Sequence, residues 1–246
     1  MRQWQGKRYW LAGASEGLGR ALAERMSRAG VELVLSARSE ERLQALADSL
    51  PGKAQVVPVD VGDMASVRAA AQAAGPVDGL VYLAGVYWPQ PAQQWDAEQV
   101  ETMCDINFTG AARVVGVALP AMVERGAGHV VLTGSLAGFR GLPGSIGYGA
   151  SKAGLMVLAE SMHADLRGTG VQVQLVNPGF IRTRLTEKNE FAMPFIMDPG
   201  PAAALMFDHM GGERFKMSFP AFFSRVFRLS QFLPDWLYYR LFAPRR

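Results

Sequence analysis

A tyrosine and a lysine stand four positions apart in this chain of 246 residues, at Tyr148 and Lys152. Residues with this spacing lie on one face of an α-helix, so both side chains can reach one site. A free tyrosine titrates near about 10 and a free lysine near about 10.4, so neither is a ready acid or base at neutral pH. Because a neighbouring ammonium favours the phenolate, we expect Lys152 to lower the pKa of Tyr148 and make it a general acid/base.

A glycine-rich segment forms a second candidate site, between the apolar run 9–12 and a helical stretch from about residue 18. Glycines allow a sharp turn and the close approach of a phosphate, and the start of the following helix offers free N–H groups. The spacing Gly-x-x-x-Gly-x-Gly, with a strand before it and a helix after it, favours dinucleotide binding over a simple structural turn. The predicted cofactor contacts here are Gly13, Ser15, Glu16, Gly17, Leu18 and Gly19.

The residues after the second predicted strand indicate which dinucleotide binds. This strand, 31–36, is followed by Ala37 and Arg38. A fold that selects NAD usually carries an acid here for the ribose 2′-hydroxyl, whereas a guanidinium suits a 2′-phosphate. We therefore predict NADP(H) in preference to NAD(H). The alternative is that Arg38 is a solvated residue at the start of a helix. Arg42 either supports Arg38 or pairs with an acid at the surface.

Apolar runs alternate with helical segments along most of the chain, which predicts a mainly parallel sheet with helices on both faces. The expected fold is α/β, a Rossmann-type doubly wound sheet of seven strands in one domain. Residues 1–219 would form one dinucleotide-binding domain, with a lid at about 185–211 and a tail at 220–246. The predicted strands are 9–12, 31–36, 55–60, 77–84, 129–133, 171–176 and an edge strand at 214–219; long helices are predicted at 97–124 and 149–168.

The composition limits the classes of protein to consider. Hydrophobic residues make up 49% and charged residues 19% of the chain, as expected for a folded globular protein. A net charge of +3 does not argue for nucleic acid. The single cysteine, Cys104, excludes an internal disulfide and a cysteine-rich metal site, and we expect it to be a small buried hydrophobe. We see no signal peptide and no uncharged apolar run of about 20 residues, so we expect a cytoplasmic enzyme. We also expect that the protein binds no metal.

These motifs resemble the short-chain dehydrogenase/reductase family over about residues 7–185. Ser135 stands thirteen positions before Tyr148, as in the family's catalytic set. The resemblance implies that Tyr148 exchanges a proton with the substrate oxygen, that Lys152 binds the nicotinamide ribose and that Ser135 orients the carbonyl. It also implies that Asn107, followed by Gly110, holds a water linking Lys152 to solvent. Further implied cofactor contacts are Asp60, Val61, Ala84, Gly85, Pro178, Gly179, Ile181 and Thr183.

Two positions depart from the family pattern. Ala12 stands where a threonine is usual, and Tyr82-Leu83 where an asparagine pair is usual. The loss of these polar groups is expected to soften the cofactor loop or weaken cofactor affinity. The family resemblance further implies a homodimer or homotetramer built through the two long helices.

Loops at the carboxyl ends of the strands are expected to bind the substrate. The candidates are 86–88, 139–146 and the first part of the lid, 185–197, in which Phe191, Met193, Phe195 and Met197 would form an adaptable apolar wall. This wall predicts an apolar or lipid-like carbonyl or alcohol. The alternative is that these residues pack on the core, and His163 is expected to be structural.

Aromatic and basic residues are interleaved after Phe219, including Arg225, Arg228, Arg240, Arg245 and Arg246. This pattern is typical of a helix that rests on an anionic membrane surface, and the alternative is a tail packed on its own domain or on a partner subunit. The lid and tail also resemble a bacterial subgroup of the family. A second function stays open: a catalytically silent NADP-binding sensor or membrane-docked scaffold of the same fold.

Overall fold

A computed structural model describes residues 2–243, which fold around one seven-stranded sheet in the order β3-β2-β1-β4-β5-β6-β7. Every strand pair is parallel. The predicted α/β architecture is therefore confirmed. The strands are β1 Arg8–Ala12, β2 Glu32–Ser36, β3 Ala54–Val56, β4 Gly79–Tyr82, β5 Gly128–Thr133, β6 Val171–Pro178 and β7 Lys216–Phe219.

The helices cover both faces of the sheet, because the strands are apolar on both sides. They are α1 Gly17–Arg28, α2 Glu40–Ser49, α3 Met64–Ala74, α4 Ala97–Cys104, α5 Gly110–Arg125, α6 Ile146–Asp165, α7 Pro199–Met210, α8 Ala221–Ser230 and α9 Asp235–Phe242. One core cluster joins the sheet to α3, α5 and α6, and the other joins it to α1, α2 and α7. Short 3₁₀ turns lie at Ala92–Gln94, Leu136–Gly138 and Thr186–Lys188.

Side chains of the expected kind begin several helices. Ser39 accepts a hydrogen bond from the backbone N–H of Arg42, and Asp63 accepts two at the start of α3. Asp96 caps α4 in the same way. Each cap satisfies an N–H group that has no partner within its own helix.

Several predicted boundaries were wrong, and the strand expected at 77–84 spans only Gly79–Tyr82. The strand expected at 55–60 ends at Val56, and Pro58 has no N–H to continue the ladder. The helix expected at 97–124 is interrupted by a π-helical turn at Asp105–Thr109. The helix expected at 149–168 runs from Ile146 to Asp165.

The combined segment Ala97–Arg125 is the one helix between residues 2 and 243 that is long and apolar enough to cross a membrane by length and composition. It contains the Asp105–Arg113 ion pair, and Ala111, Val114 and Val115 are buried in the main core. These contacts are typical of a core helix in an α/β domain.

Candidate active site

A cleft of about 1330 Å³ opens at the carboxyl ends of the strands. The chain leaves β1 toward one side of the sheet and β4 toward the other, so a crevice forms between them. Every predicted catalytic or cofactor-binding residue except Asn107 lines this cleft. The sheet topology therefore brings together residues that lie as far apart in the chain as Gly13 and Thr183.

Two glycines of the segment 13–19 lie so close to neighbouring backbone that a larger residue would not fit at Gly13 or Gly19. Gly13 has a φ of +99°, and a Cβ atom there would lie 2.4 Å from the backbone nitrogen of Ala84. A Cβ atom on Gly19 would lie 2.0 Å from the carbonyl oxygen of Gly13. Glu16 precedes α1 without capping it through its side chain. The first turn of α1 therefore offers backbone N–H groups to an anion, which fits the pyrophosphate of a dinucleotide.

Backbone hydrogen bonds hold this loop despite the departures at Ala12 and at Tyr82-Leu83. The N–H groups of Leu83 and Ala84 both donate to the carbonyl of Ala12, at 2.8 and 2.9 Å. The Tyr82 hydroxyl instead donates to the carbonyl of Ile106. The loop is thus joined to its neighbouring strand without the side chains that are usual there.

Charged groups surround the outer end of the cleft beyond β2. Arg38 is exposed and forms no ion pair with any residue from 2 to 243, whereas Arg42 pairs with Glu16 at 3.1 Å. Arg184, from the base of the lid, pairs with the same carboxylate at 2.9 Å. Of the two roles considered for Arg42, the structure shows the ion pair. Arg38 is the guanidinium left available to a phosphate.

The proposed proton-transfer residues meet at the inner end of the cleft. Tyr148 and Lys152 lie in the first two turns of α6, and Ser135 lies two residues after the end of β5. The Lys152 Nζ atom lies 5.8 Å from the centre of the Tyr148 ring and donates to the carbonyl of Thr133 at 2.8 Å. A phenol, an ammonium and a hydroxyl therefore face one space beside the glycine loop.

Burial changes the acid–base properties of these groups in a direction that the sequence did not predict. Burial raises the pKa of Tyr148, and its interaction with the Ser135 hydroxyl only partly opposes this shift. The expected lowering of the Tyr148 pKa by Lys152 was wrong for the free protein, because loss of solvation dominates. Burial also lowers the pKa of Lys152 to about 8.

Asn107 lies behind the cleft rather than in its wall, within the π-helical turn. Its side chain accepts from the N–H of Val86 at 2.8 Å and donates to the Val86 carbonyl and the Ser151 hydroxyl, both at 3.0 Å. Both amide hydrogens are thereby used. A water held by Asn107 would therefore have to donate a hydrogen bond to the side-chain or the backbone carbonyl oxygen of Asn107.

Comparison with known proteins matches residues 7–193 to the short chain dehydrogenase family model. The chain belongs to the short chain dehydrogenase family. It is an NAD(P)-dependent oxidoreductase that acts on CH–OH groups. An "Uncharacterized oxidoreductase" of Myxococcus xanthus is 40% identical over 235 residues, which cover 93% of each chain. "Sulfoacetaldehyde reductase 2" of Chromohalobacter salexigens is 41% identical over 184 residues, which cover 72% of this chain and 73% of that one.

Solved structures of the family share the fold. A short chain dehydrogenase/reductase from Burkholderia phymatum in complex with NAD has a TM-score of 0.86 at 28% identity, and the match covers 94% of both chains. A serine dehydrogenase complexed with NADP+ has a TM-score of 0.78 at 26% identity, covering 86% of this chain and 94% of that one. The fold therefore accommodates either dinucleotide.

The substrate side of this short chain dehydrogenase differs in part from the prediction. Of the four predicted lid residues only Phe191 lines the cleft, because Phe195 packs on Phe222 and Phe223 and Met197 pairs with Ile181 in a β-bridge. Met193 accepts a hydrogen bond from the Asn189 side chain. The Met/Phe wall expected from 191–197 was thus largely wrong.

The other two predicted substrate loops, 86–88 and 139–146, line the cleft in part. Val86 and Tyr87 line the cleft, whereas Trp88 contacts the ammonium of Lys188, 4.3 Å from its ring centre. From the loop 139–146, the segment 142–145 lines the cleft. His163 stacks on Phe215 at 4.0 Å, consistent with its expected structural role.

Sequence reasoning missed one group of cleft residues, and one contact between two residues that it did predict. Phe223, Phe227 and Phe242 from the tail line the cleft together with Phe180. The spacing of four between Phe223 and Phe227 could have indicated an inward helix face. The Tyr87 ring contacts the Tyr148 ring edge-to-face at 4.9 Å, while its hydroxyl donates to the Asn189 side chain in the lid at 2.8 Å. No local pattern marks this contact.

Proposed function

We propose that this protein is an NADPH-dependent reductase of apolar carbonyl compounds that uses Tyr148 as its general acid. The observation that carries the proposal is the arrangement of Tyr148, Lys152 and Ser135 in one cleft with an uncapped helix start. The cofactor, when bound, supplies the hydride to the carbonyl carbon. The protein's own residues then have to bind, orient and protonate the carbonyl oxygen.

Proton transfer follows from the environment of the three side chains. The raised pKa of Tyr148 keeps its phenol protonated at neutral pH, which suits a donor to a carbonyl oxygen. Ser135 donates a second hydrogen bond to that oxygen and fixes its position. The tyrosinate left after transfer is stabilised by the nearby Lys152 ammonium, whose pKa of about 8 allows it to return a proton near neutral pH. Asn107 holds the water that connects Lys152 to solvent.

The preference for NADP rests on charge at the outer end of the cleft. Arg38 is exposed and unpaired within the described residues 2–243, at the position where a ribose 2′-phosphate is expected. Glu16, the nearest acid in the glycine segment, is already neutralised by Arg42 and Arg184. The other predicted cofactor residues, from Asp60 to Thr183, complete the wall of the same cleft.

An apolar substrate is supported by the aromatic side chains at the inner end of the cleft. Phe180, Phe191, Phe223 and Phe227 line it, and contacts between these rings join the lid to the tail. Apolar rings favour a substrate whose carbonyl is attached to hydrocarbon. The relative named a sulfoacetaldehyde reductase suggests a small anionic aldehyde as a second candidate, for which Lys188 and Arg184 supply positive charge in the same cleft.

The same proposal covers assembly and location. Phe108, Val123 and Val157 are exposed on the long helices, which supports a homodimer or homotetramer formed through them. We place the enzyme in the cytoplasm.

The test is NADPH oxidation with a panel of aliphatic and aromatic ketones and small anionic aldehydes, using Tyr148→Phe as the variant. Loss of the phenolic proton should lower kcat about 10²- to 10⁴-fold and leave NADPH affinity unchanged. Activity retained by Tyr148→Phe would refute the mechanism. Cofactor binding by calorimetry without turnover of any panel member would instead favour the silent sensor or scaffold.

A further inference from the structure

The two tail helices have an inward face that packs on the domain and an outward face that does not. Ser224, Ser230 and Tyr238 are buried, and Phe227 faces the cleft. The packing alternative for the tail is therefore correct for this inward face. It does not account for the opposite face of the same helices.

The outward face of α8 carries an apolar stripe where a surface helix normally carries polar residues. Phe222, Val226 and Leu229 follow one another at spacings of four and three, which places them on one side of the helix. Their exposed fractions are 67%, 41% and 66%. This helix is thus apolar on two faces, and only one of them is covered by the domain.

Exposed apolar side chains continue along the chain beyond α8. Phe232 is 81% exposed and Trp236 is 68% exposed, and Tyr239 and Leu241 of α9 are exposed as well. Seven of the thirteen large apolar side chains exposed in residues 2–243 lie between Phe222 and Leu241. Such a concentration marks an interaction surface rather than the scattered exposure found on most proteins.

Charge on the outward face indicates what covers it. Arg225, Arg228 and Arg240 are exposed and form no ion pairs within the described part of the chain. The one acid of the two helices, Asp235, pairs with Arg140 of the domain. Unpaired arginines among exposed aromatic rings suit the boundary between anionic headgroups and acyl chains.

The domain fixes the orientation of the tail through hydrogen bonds of Arg140 and Gly141, which do not involve the side chains of Leu229, Phe232 or Trp236. Arg140 donates to the carbonyls of Ser230 and Leu233 at 2.9 and 2.7 Å, and its guanidinium lies 4.0 Å from the centre of the Tyr238 ring. The Tyr238 hydroxyl donates to the carbonyl of Gly141 at 2.8 Å. Substitutions of Leu229, Phe232 and Trp236 should therefore leave the tail in place.

We propose that this outward face rests on an anionic lipid bilayer and that the cleft receives its carbonyl substrate from that bilayer. Phe222 faces outward while its neighbour Phe223 lines the cleft, so the two surfaces are separated by one helix. An apolar substrate would pass between them without crossing bulk water. The substrate half of the proposal rests on the proposed function, whereas the docking half does not.

The experiment measures co-sedimentation of the full chain with vesicles of phosphatidylcholine alone and of phosphatidylcholine mixed equally with phosphatidylglycerol. The apolar variant combines Leu229→Ser, Phe232→Ser and Trp236→Ser, and Trp95→Ser, a 60% exposed tryptophan outside the tail, is its control. The full chain should bind the anionic vesicles. The apolar variant should bind at least about a hundredfold more weakly, and Trp95→Ser should bind like the parent.

A second variant tests charge, combining Arg225→Gln, Arg228→Gln and Arg240→Gln. Its affinity for anionic vesicles should fall roughly a hundredfold, since each arginine near an anionic surface contributes about 1 kcal/mol. The matched control replaces three exposed arginines outside the tail, Arg28, Arg68 and Arg167, with glutamine and should lose much less.

Activity separates failure of docking from failure of the proposed function. With a long-chain ketone supplied in vesicles, the apolar variant should be slower than the parent, and with a short soluble ketone the two should be equal. Absence of binding to anionic vesicles, or equal binding by the apolar variant, would overturn the docking proposal. A change of oligomeric mass in the apolar variant without vesicle binding would assign the face to a second copy instead. Vesicle binding without turnover of any ketone would refute the proposed function alone.

Discussion

Replacement of Lys152 by methionine should stabilise the free protein at neutral pH while abolishing its activity. Lys152 is 4% exposed, and burial lowers its pKa from the ordinary 10.5 to about 8. Below pH 8 the side chain is charged in both the folded and the unfolded protein, so the folded state bears the cost of a buried ammonium. Methionine has a similar length and removes that cost.

The magnitude follows from the two pKa values. The difference between 10.5 and about 8 corresponds to about 3 kcal/mol of destabilisation at pH 7. Methionine also removes the hydrogen bond from Nζ to the Thr133 carbonyl, which offsets about 1.5 kcal/mol. A net gain of about 1.5 kcal/mol should raise Tm by roughly 3–6 °C for a domain of this size.

The pH dependence identifies the cause. The folded protein loses the Lys152 proton above about pH 8, while the unfolded chain keeps it until about 10.5. In this window the unfolded state binds more protons, so the stability of the parent rises with pH relative to the variant. The advantage of the variant should therefore shrink between pH 7 and pH 10.5.

Thermal unfolding of the parent and Lys152→Met across this pH range provides the measurement, with circular dichroism as the probe. Lys53→Met is the control, because the Lys53 side chain is 82% exposed and bears no burial cost. A lower Tm for Lys152→Met at pH 7, or a difference that stays constant with pH, would show that the buried ammonium is not a net cost.

Three further predictions concern cofactor and lid. Arg38→Asp should weaken NADPH binding far more than NADH binding in fluorescence titrations, and equal affinities of the parent for both would remove the 2′-phosphate hypothesis. Gly19→Ala should weaken NADPH binding about tenfold or more, because its Cβ would lie 2.0 Å from the Gly13 carbonyl oxygen. Gly116→Ala, in open space on α5, serves as its control and should bind normally. Tyr87→Phe should raise KM roughly fivefold at unchanged kcat, since it loses the bond to Asn189 but keeps the ring against Tyr148; an unchanged KM would argue against a role for this bond in holding the lid.

Elements whose spacing is local could be predicted from the amino-acid sequence. The four-residue separation of Tyr148 and Lys152 needs only a helix to place both on one face, and the glycine segment needs only a strand before it and a helix after it. The alternation of strands and helices determined the parallel sheet. A parallel sheet in turn brings the ends of its strands, and the loops that follow them, to one edge.

Properties that depend on burial and on distant neighbours are set by the folded domain and could not be predicted from local spacing. The pKa of Tyr148 rises rather than falls because the completed domain removes its solvent, which no local spacing shows. Arg42 pairs with Glu16, and the lid residue Phe195 packs on the tail instead of the cleft. The tail itself supplies Phe223 and Phe227 to the cleft wall while Phe222 remains outside, because Arg140 fixes the orientation of the helices. Side-chain direction there is set by long-range packing, which composition and periodicity do not specify.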